Sequence, residues 1–462
     1  MFDTIVAQAT PSGPGAIALI RLSGKFVREH VAQVSKLMGK KTIASIASHT
    51  VHLGYIVDTH GEKIDQVLFI VMDGPKSFTG EDTIEITCHN NPFIINAIIS
   101  RCIECGARHA AAGEFTQRAF ENNKISLVEG EAINDLICAQ SEQALKKALA
   151  QVDGNFSHYI AGLEQDILTI LAYCQASFEF LEQEHDFSSH IIEQITTLLQ
   201  RIQTIKADYP MQHVIKEGIK IALIGSVNAG KSSLFNALLG KAQAIVTDIA
   251  GTTRDTLYGS LYQQGAFWTF IDTAGIRVSN DIIEQEGIKR SYQAAEQADI
   301  VLIILDSSRE LTEHECELYS DIANIHKTKS IFVLTKNDLP QKITTETINT
   351  LFANINNKHI LSVSSHDANS IIAVKNALMQ LVQKIFDMMQ APFLLSARQY
   401  HLIDAVAKVL QNTLSLAQAD NVYYELISKE LQQALEHLSV LTGKSVSTNI
   451  IDSVFRTFCV GK

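Results

Sequence analysis

Lys231 and Ser232 close the stretch Gly225-Ser-Val-Asn-Ala-Gly-Lys-Ser232, which fits the pattern G-x-x-x-x-G-K-[ST]. The chemistry open to this spacing is phosphate binding. Glycines let backbone N–H groups close round phosphate oxygens, the lysine reaches the β and γ phosphates, and the serine hydroxyl is an oxygen ligand for Mg²⁺. Asn228, Ala229, Gly230, Lys231, Ser232 and Ser233 are the candidate contacts. Downstream lies Asp272-Thr-Ala-Gly275. An aspartate there can hold Mg²⁺ through water, and a glycine three residues on can offer its N–H to the γ-phosphate, with Thr273 and Ala274 between them. Thr335-Lys-Asn-Asp338 follows. A carboxylate at Asp338 can accept from N1–H and N2–H₂ of guanine, which adenine cannot match, so the nucleotide reads as GTP. Lys336 and Asn337 belong to the same loop, and Ser364-Ser365 stands where a base-supporting loop is expected.

Between the first two motifs runs Thr247-Asp-Ile-Ala-Gly-Thr-Thr-Arg-Asp255. Threonines suit completion of Mg²⁺ coordination once a γ-phosphate is present, which would order the loop; a plain surface turn is the alternative. Many GTPases place a water-orienting glutamine just after the DxxG glycine. Here that residue is Ile276, so a nearby carboxylate would have to serve. Glu284 and Glu286 both qualify, and both also read as ordinary acids in the first turn of a helix.

The elements that must position these residues are legible. Gly218–Ile224 is an apolar strand-like run before the glycine loop, and Ser233–Leu239 has helical spacing after it. Phe267–Ile271, Ser330–Leu334 and Ile360–Val363 are further strands, each ending at a motif. Residues 218–385 thus alternate strands and helices as an α/β P-loop domain does. Residues 1–119 mix β-type runs (Ile17–Leu22, Val67–Met72, Thr83–Thr87) with turns such as Pro11-Ser-Gly-Pro-Gly15, an α+β pattern. Residues 120–217 and 386–462 carry i, i+3, i+4 apolar spacing, as in Val128, Ala132, Leu136 and in Leu431, Leu435, Leu438. The economical architecture is a multidomain chain: an α+β N-terminal domain, then an all-α domain interrupted by the inserted GTPase domain.

Composition narrows the class. The 462 residues carry 38 basic and 50 acidic side chains, a formal charge of −12. That balance argues against a surface that grips nucleic acid everywhere, though not against a local basic groove. Apolar runs such as Ile300–Leu305 are far shorter than the roughly 18–20 residues needed to span a bilayer. Neither a membrane span nor a secretory signal is visible, and seven scattered cysteines fit a reducing, cytoplasmic compartment. Cys102 and Cys105 form C-x-x-C without a second pair, so a core thiol is preferred over metal or redox chemistry.

With these motifs assembled, the chain resembles the tRNA-modification GTPases of the MnmE (TrmE) type, within the TrmE-Era-EngA-type GTPases. The most specific matches lie outside the nucleotide motifs: Asp3-Thr-Ile-Val-Ala-Gln-Ala-Thr10, Ser77-Phe-Thr-Gly-Glu-Asp82, Gly113-Glu-Phe-Thr-Gln-Arg-Ala-Phe120 and Phe458-Cys-Val-Gly-Lys462. Gly251–Asp255 and the P-loop asparagine also match. The resemblance implies a homodimer working with the flavoprotein MnmG as a heterotetramer, installing an aminomethyl-type group at C5 of the wobble uridine (position 34) of certain tRNAs. It implies a tetrahydrofolate-binding-like N-terminal domain taking 5-formyl- or methylene-tetrahydrofolate, with Arg21, Glu85, Lys124 and Lys462 at the folate-contact positions. Read as residues alone, Lys124 is a helix-surface lysine and Lys462 a frayed end.

The resemblance further implies K⁺ activation through Asn228, Thr247, Ile249 and Thr252, and Mg²⁺ held by Ser232 and Thr253. Glu284 matches the water-orienting glutamate, and Cys459 the C-terminal cysteine tied to the modification chemistry. Departures are Val460 for isoleucine, Thr335 for asparagine and Ser365 for alanine; the latter two are expected to loosen guanine binding slightly. The competing class is a ribosome-assembly GTPase, an RNA-binding switch. It expects a basic tail, whereas residues 380–462 hold seven Lys/Arg and seven Asp/Glu.

Overall fold

The computed structural model describes residues 3–179, 187–239, 257–272, 283–325, 329–352, 359–364, 367–388 and 391–461. The chain packs as two compact units. One comprises Met1–Asn134, Leu149–Ile202 and Ser396–Lys462, the other Asp135–Ala148 and Gln203–Leu395. Residues 135–148 and 203–217, which periodicity groups with the helical segment, therefore pack with the nucleotide motifs.

The first unit opens with strands β1 (Thr4–Gln8) and β2 (Ile17–Ser23), helix α1 (Val27–Val34), and strands β3 (Ser35–Leu37), β4 (Thr50–Val57), β5 (Lys63–Met72) and β6 (Thr83–His89). Helix α2 (Pro92–Glu104), β7 (Ala107–His109) and α3 (Glu114–Glu121) follow. The strands form one sheet in the order β3-β4-β5-β6-β2-β1-β7. Side chains alternate across it. Ala18, Ile20 and Leu22 of β2 and Ile84, Ile86 and Cys88 of β6 share one core with Val27, Val31, Ile95 and Ile98 of the two helices. Leu19, Arg21, Glu85 and Thr87 therefore occupy the opposite face, and the register sets Arg21 directly across from Glu85. Helix α2 starts at Asn91, whose side chain accepts from Phe93 N–H, with Pro92 in the first turn. Cys102 is fully buried in this core, and burial pushes its thiol up to about 12, so it is a packing residue.

Helices α4 (Leu127–Cys138), α5 (Glu142–Val152), α6 (Asn155–Glu179) and α7 (Phe187–Lys206) come next, then the short α8 (Gln212–Glu217). Three helices complete the first unit at the end of the chain: α14 (Ala397–Ala417), α15 (Tyr424–Thr442) and α16 (Thr448–Phe455). Helix α14 packs on α15, and α15 on α6. The buried Glu131 carboxylate of α4 accepts from Ser396 Oγ (2.9 Å), Arg398 Nη2 (2.7 Å) and Gln399 Nε2 (2.6 Å) at the start of α14. A buried charge is tolerated when so fully hydrogen-bonded.

The second unit holds β8 (Ile219–Ile224), α9 (Lys231–Leu239), β9 (Leu257–Gln263), β10 (Ala266–Asp272), α10 (Ile283–Gln297), β11 (Ile300–Asp306) and α11 (Glu313–Ile325). Then come β12 (Ser330–Thr335), α12 (Thr345–Leu351), β13 (His359–Ser362) and α13 (Ala368–Asp387). The sheet order is β13-β12-β11-β8-β10-β9, parallel except for β9 against β10. β11 is buried at every residue, as a parallel strand covered on both faces should be. The closed end of the β9–β10 hairpin explains why residues 135–148 join this unit: Glu142 N–H donates to Gly265 O (2.7 Å) and Phe267 N–H to Gln140 O (3.0 Å).

Candidate functional site

The P-loop leaves β8 at Gly225. A Cβ there would stand 2.4 Å from Ile304 O, so only glycine lets the loop pass under β11. Asn228 (φ +61°) and Gly230 (φ +93°) take left-handed conformations, which asparagine tolerates better than most residues. The buried Lys231 begins α9, and its ammonium donates to Gly225 O and Ser226 O, both at 2.7 Å. Ser232, next in the helix, is exposed and presents a hard oxygen donor of the kind Mg²⁺ takes. Ala229 is buried and Ser233 exposed.

The Thr335–Asp338 loop is built against the P-loop. Thr335 Oγ1 lies 2.5 Å from Ala229 O and 3.0 Å from Leu305 O, and its single proton goes to the nearer carbonyl. The hydroxyl thus supplies a direct tether where the resemblance expects an asparagine. Lys336, at φ +58°, is fixed by Asp306 at 2.6 Å. Burial pushes the Asp306 carboxyl up, but hydrogen bonds from Lys336 and Ser308 outweigh it and hold the group below the usual carboxylate range. Asn337 N–H reaches Val363 O (3.4 Å). Asp338 is exposed, and Ser364 Oγ donates to its Oδ1 at 3.1 Å, which fixes the carboxylate expected to accept from guanine. Ser364 is in turn bracketed by Ser370, near the N-cap Asp367 of α13.

Asp272 ends β10 and Glu284 and Glu286 lie in the first turn of α10, their side chains being outside the described residues. Thr247, Ile249, Thr252, Thr253, Thr273, Ala274, Gly275, Ile276, Ser365 and Lys462 lie outside the described residues altogether.

In the other unit, Arg21 Nε donates to Glu85 Oε1 at 2.8 Å, and the guanidinium sits 5.7 Å from the Phe115 ring centroid. The C-terminal segment reaches this pair. Phe458 and Phe455 pack with Leu127 and Phe120 and hold the segment down. Gly113 N–H donates to Cys459 O (3.3 Å), Val460 bridges Ala112, and Gly461 O accepts from Arg21 Nη1 (3.3 Å). Gly461 has φ +94°, and a Cβ on it would stand 2.2 Å from Gln8 O, so the turn requires glycine. Cys459 is exposed. Lys124 is exposed too; its ammonium donates to Pro75 O (2.9 Å), which sets it on the loop that precedes Glu81.

Sequence reasoning missed a charge cluster beside this pair. Arg118, almost fully buried, donates to Glu81 Oε2 (2.9 Å), Asp3 Oδ1 (2.9 Å) and Glu114 Oε1 (3.0 Å). Arg108 joins through Asp3 and Glu114, and Glu81 also accepts from Ser23 Oγ (3.0 Å). Asp3, Glu81, Glu114 and Arg118 come from three of the segments quoted above as specific, and the fourth, the C-terminus, docks on Gly113. The available signal was charge inside otherwise apolar motifs, since an arginine among buried residues needs carboxylate partners.

A family model described as GTP-binding protein TrmE N-terminus matches residues 4–124, and one described as MnmE helical domain matches residues 127–459. The chain is 36% identical to a tRNA modification GTPase MnmE of Enterococcus faecalis, over all of this chain and 98% of the relative. The chain belongs to the MnmE family. MnmE proteins of Bacillus subtilis (34% identical, all of both chains) and Flavobacterium johnsoniae (36%, all of this chain and 99% of the relative) agree. As a member of the MnmE family the chain is a GTP hydrolase of the tRNA-modification class. Among the described residues, no helix is long and apolar enough to cross a membrane.

Proposed function

We propose that this GTPase is K⁺-activated and, as a homodimer with the flavoprotein MnmG, installs an aminomethyl-type group at C5 of the wobble uridine of certain tRNAs in the cytoplasm, with a tetrahydrofolate as one-carbon donor. One observation carries the modification half of this reading. The C-terminal segment bearing Cys459 docks on Gly113 and ends on Arg21, which itself pairs with Glu85. Glu85 can accept from the N–H groups of a pterin ring, and Arg21 and Lys124 supply cations for its carboxylate-bearing tail; Lys462 is the further candidate contact. In the nucleotide unit Lys231 and the P-loop N–H groups hold the phosphates, Asp338 and Ser364 the guanine, and Ser232 with Thr253 the Mg²⁺. Mg²⁺ would neutralise charge on the β and γ phosphates. Asn228 offers a carbonyl oxygen to K⁺, together with Thr247, Ile249 and Thr252, and Glu284 orients the attacking water in place of Ile276.

Arg21→Ala tests the folate site. The variant is expected to lose binding of formyl-tetrahydrofolate in calorimetry while GTP hydrolysis stays at the parent rate. Retained folate affinity would remove Arg21 from the site.

A further inference from the structure

Arg309 lies in the loop after β11, outside every nucleotide motif. Its Nη2 donates to Ser226 Oγ at 2.7 Å. Ser226 is the first residue after Gly225, and its carbonyl accepts from Lys231 Nζ (2.7 Å) and from Ala229 N–H (3.2 Å). One P-loop residue therefore joins Arg309 to the ammonium that faces the phosphates and to the turn that carries Asn228.

The guanidinium is itself held. Arg309 grips the Glu315 carboxylate through both Nη atoms, one bond measuring 2.9 Å. Glu315 is fixed at the start of α11 by a capping box: Glu315 N–H donates to Thr312 Oγ1 (3.2 Å), and Thr312 N–H donates to Glu315 Oε2 (3.0 Å). The Glu315 side chain is 15% exposed, so this bidentate pair is better shielded than a surface ion pair. The phenol of Tyr319, one turn further and 2% exposed, interacts with Ser226 as well. A rigid helix end thus reaches the P-loop through a fork that permits little play.

We propose that Arg309, oriented by Glu315, is a positioning residue for GTP hydrolysis that acts through Ser226. Asn228 takes a left-handed backbone conformation, which is less populated than the right-handed one even for asparagine and is kept in place by the segments that flank it. The Arg309–Ser226 bond holds the segment just before it. Ground-state nucleotide binding draws on many P-loop N–H groups and on Asp338, so it tolerates a small shift of Ser226. The transition state does not, because misplacement by about 1 Å can cost about 100-fold in rate.

The full-length chain serves for the test, with Arg309→Met, Arg309→Lys, Ser226→Ala and the double variant Ser226→Ala/Arg309→Met. Steady-state GTP hydrolysis, affinity for a fluorescent GDP and thermal midpoint are measured on each. Arg309→Met is expected to lose about tenfold in kcat, with GDP affinity within about twofold of the parent and an unchanged midpoint. Arg309→Lys recovers part of the loss, and the double variant is no slower than Arg309→Met, as coupled residues should behave. The proposal is overturned by a parental kcat in Arg309→Met. It is equally overturned if GDP affinity falls in parallel with kcat, which marks general support of the fold, or if the double variant shows the product of the single losses.

Discussion

Asp338→Asn turns the nucleotide site from guanine to xanthine. The carboxylate, held by Ser364 Oγ at 3.1 Å, can accept from both N1–H and N2–H₂ of guanine. An asparagine keeps one acceptor and places an NH₂ donor where the second was. That donor opposes the guanine 2-amino group but meets the 2-oxo group of xanthine. Loss of a charge-assisted hydrogen bond and confrontation of two donors together cost about 3 kcal/mol or more, roughly 100-fold in affinity. Binding of fluorescent GTP and XTP should therefore exchange rank, while the P-loop contribution to both stays the same. Undiminished GTP affinity in the variant would show that Asp338 does not read the base.

GTP hydrolysis is expected to run about tenfold or more faster in K⁺ than in Na⁺ at equal ionic strength. A fixed cation at the β and γ phosphates acts where an arginine finger acts, and such a finger is worth about 10³–10⁵ in kcat. Asn228 suits the role because it is exposed at the tip of the loop in a left-handed conformation, with the P-loop carbonyls behind it already committed to Lys231. The same assay on Glu284→Ala separates cation from water orientation: GTP affinity is kept and turnover in K⁺ is lost. Equal rates in the two salts would sink the K⁺ reading, and parental turnover in Glu284→Ala would shift the role to Glu286.

The nucleotide unit was legible because its signals are local. Each motif sits at a strand end, and β8, β10, β12 and β13 match the apolar runs read from sequence to within one or two residues. The N-terminal sheet face was legible in the same way, since period-two alternation places Arg21 and Glu85 together once the strands pair. The Arg118 cluster was not. Its bonds join residues 37 and 115 positions apart, and no local period encodes such a meeting. The tether made by Thr335 was illegible for a related reason: its hydroxyl reaches Ala229 O, a partner set by the approach of two loops. Arg309 was not legible either: the capping box Thr312-x-x-Glu315 is a local pattern, but its steering of an arginine onto a P-loop serine 83 positions away is visible only in three dimensions. Assignment of residues 135–148 likewise rests on backbone hydrogen bonds to the β9–β10 hairpin, to which side-chain patterning is blind.

If GTP hydrolysis by this protein serves modification of tRNA, nucleoside analysis of tRNA from cells lacking it will show wobble uridines without the C5 aminomethyl-type group, restored when this chain is supplied. Wobble nucleosides identical to those of the parent cells, accompanied by accumulation of immature ribosomal subunits, would contradict it and favour a ribosome-assembly GTPase.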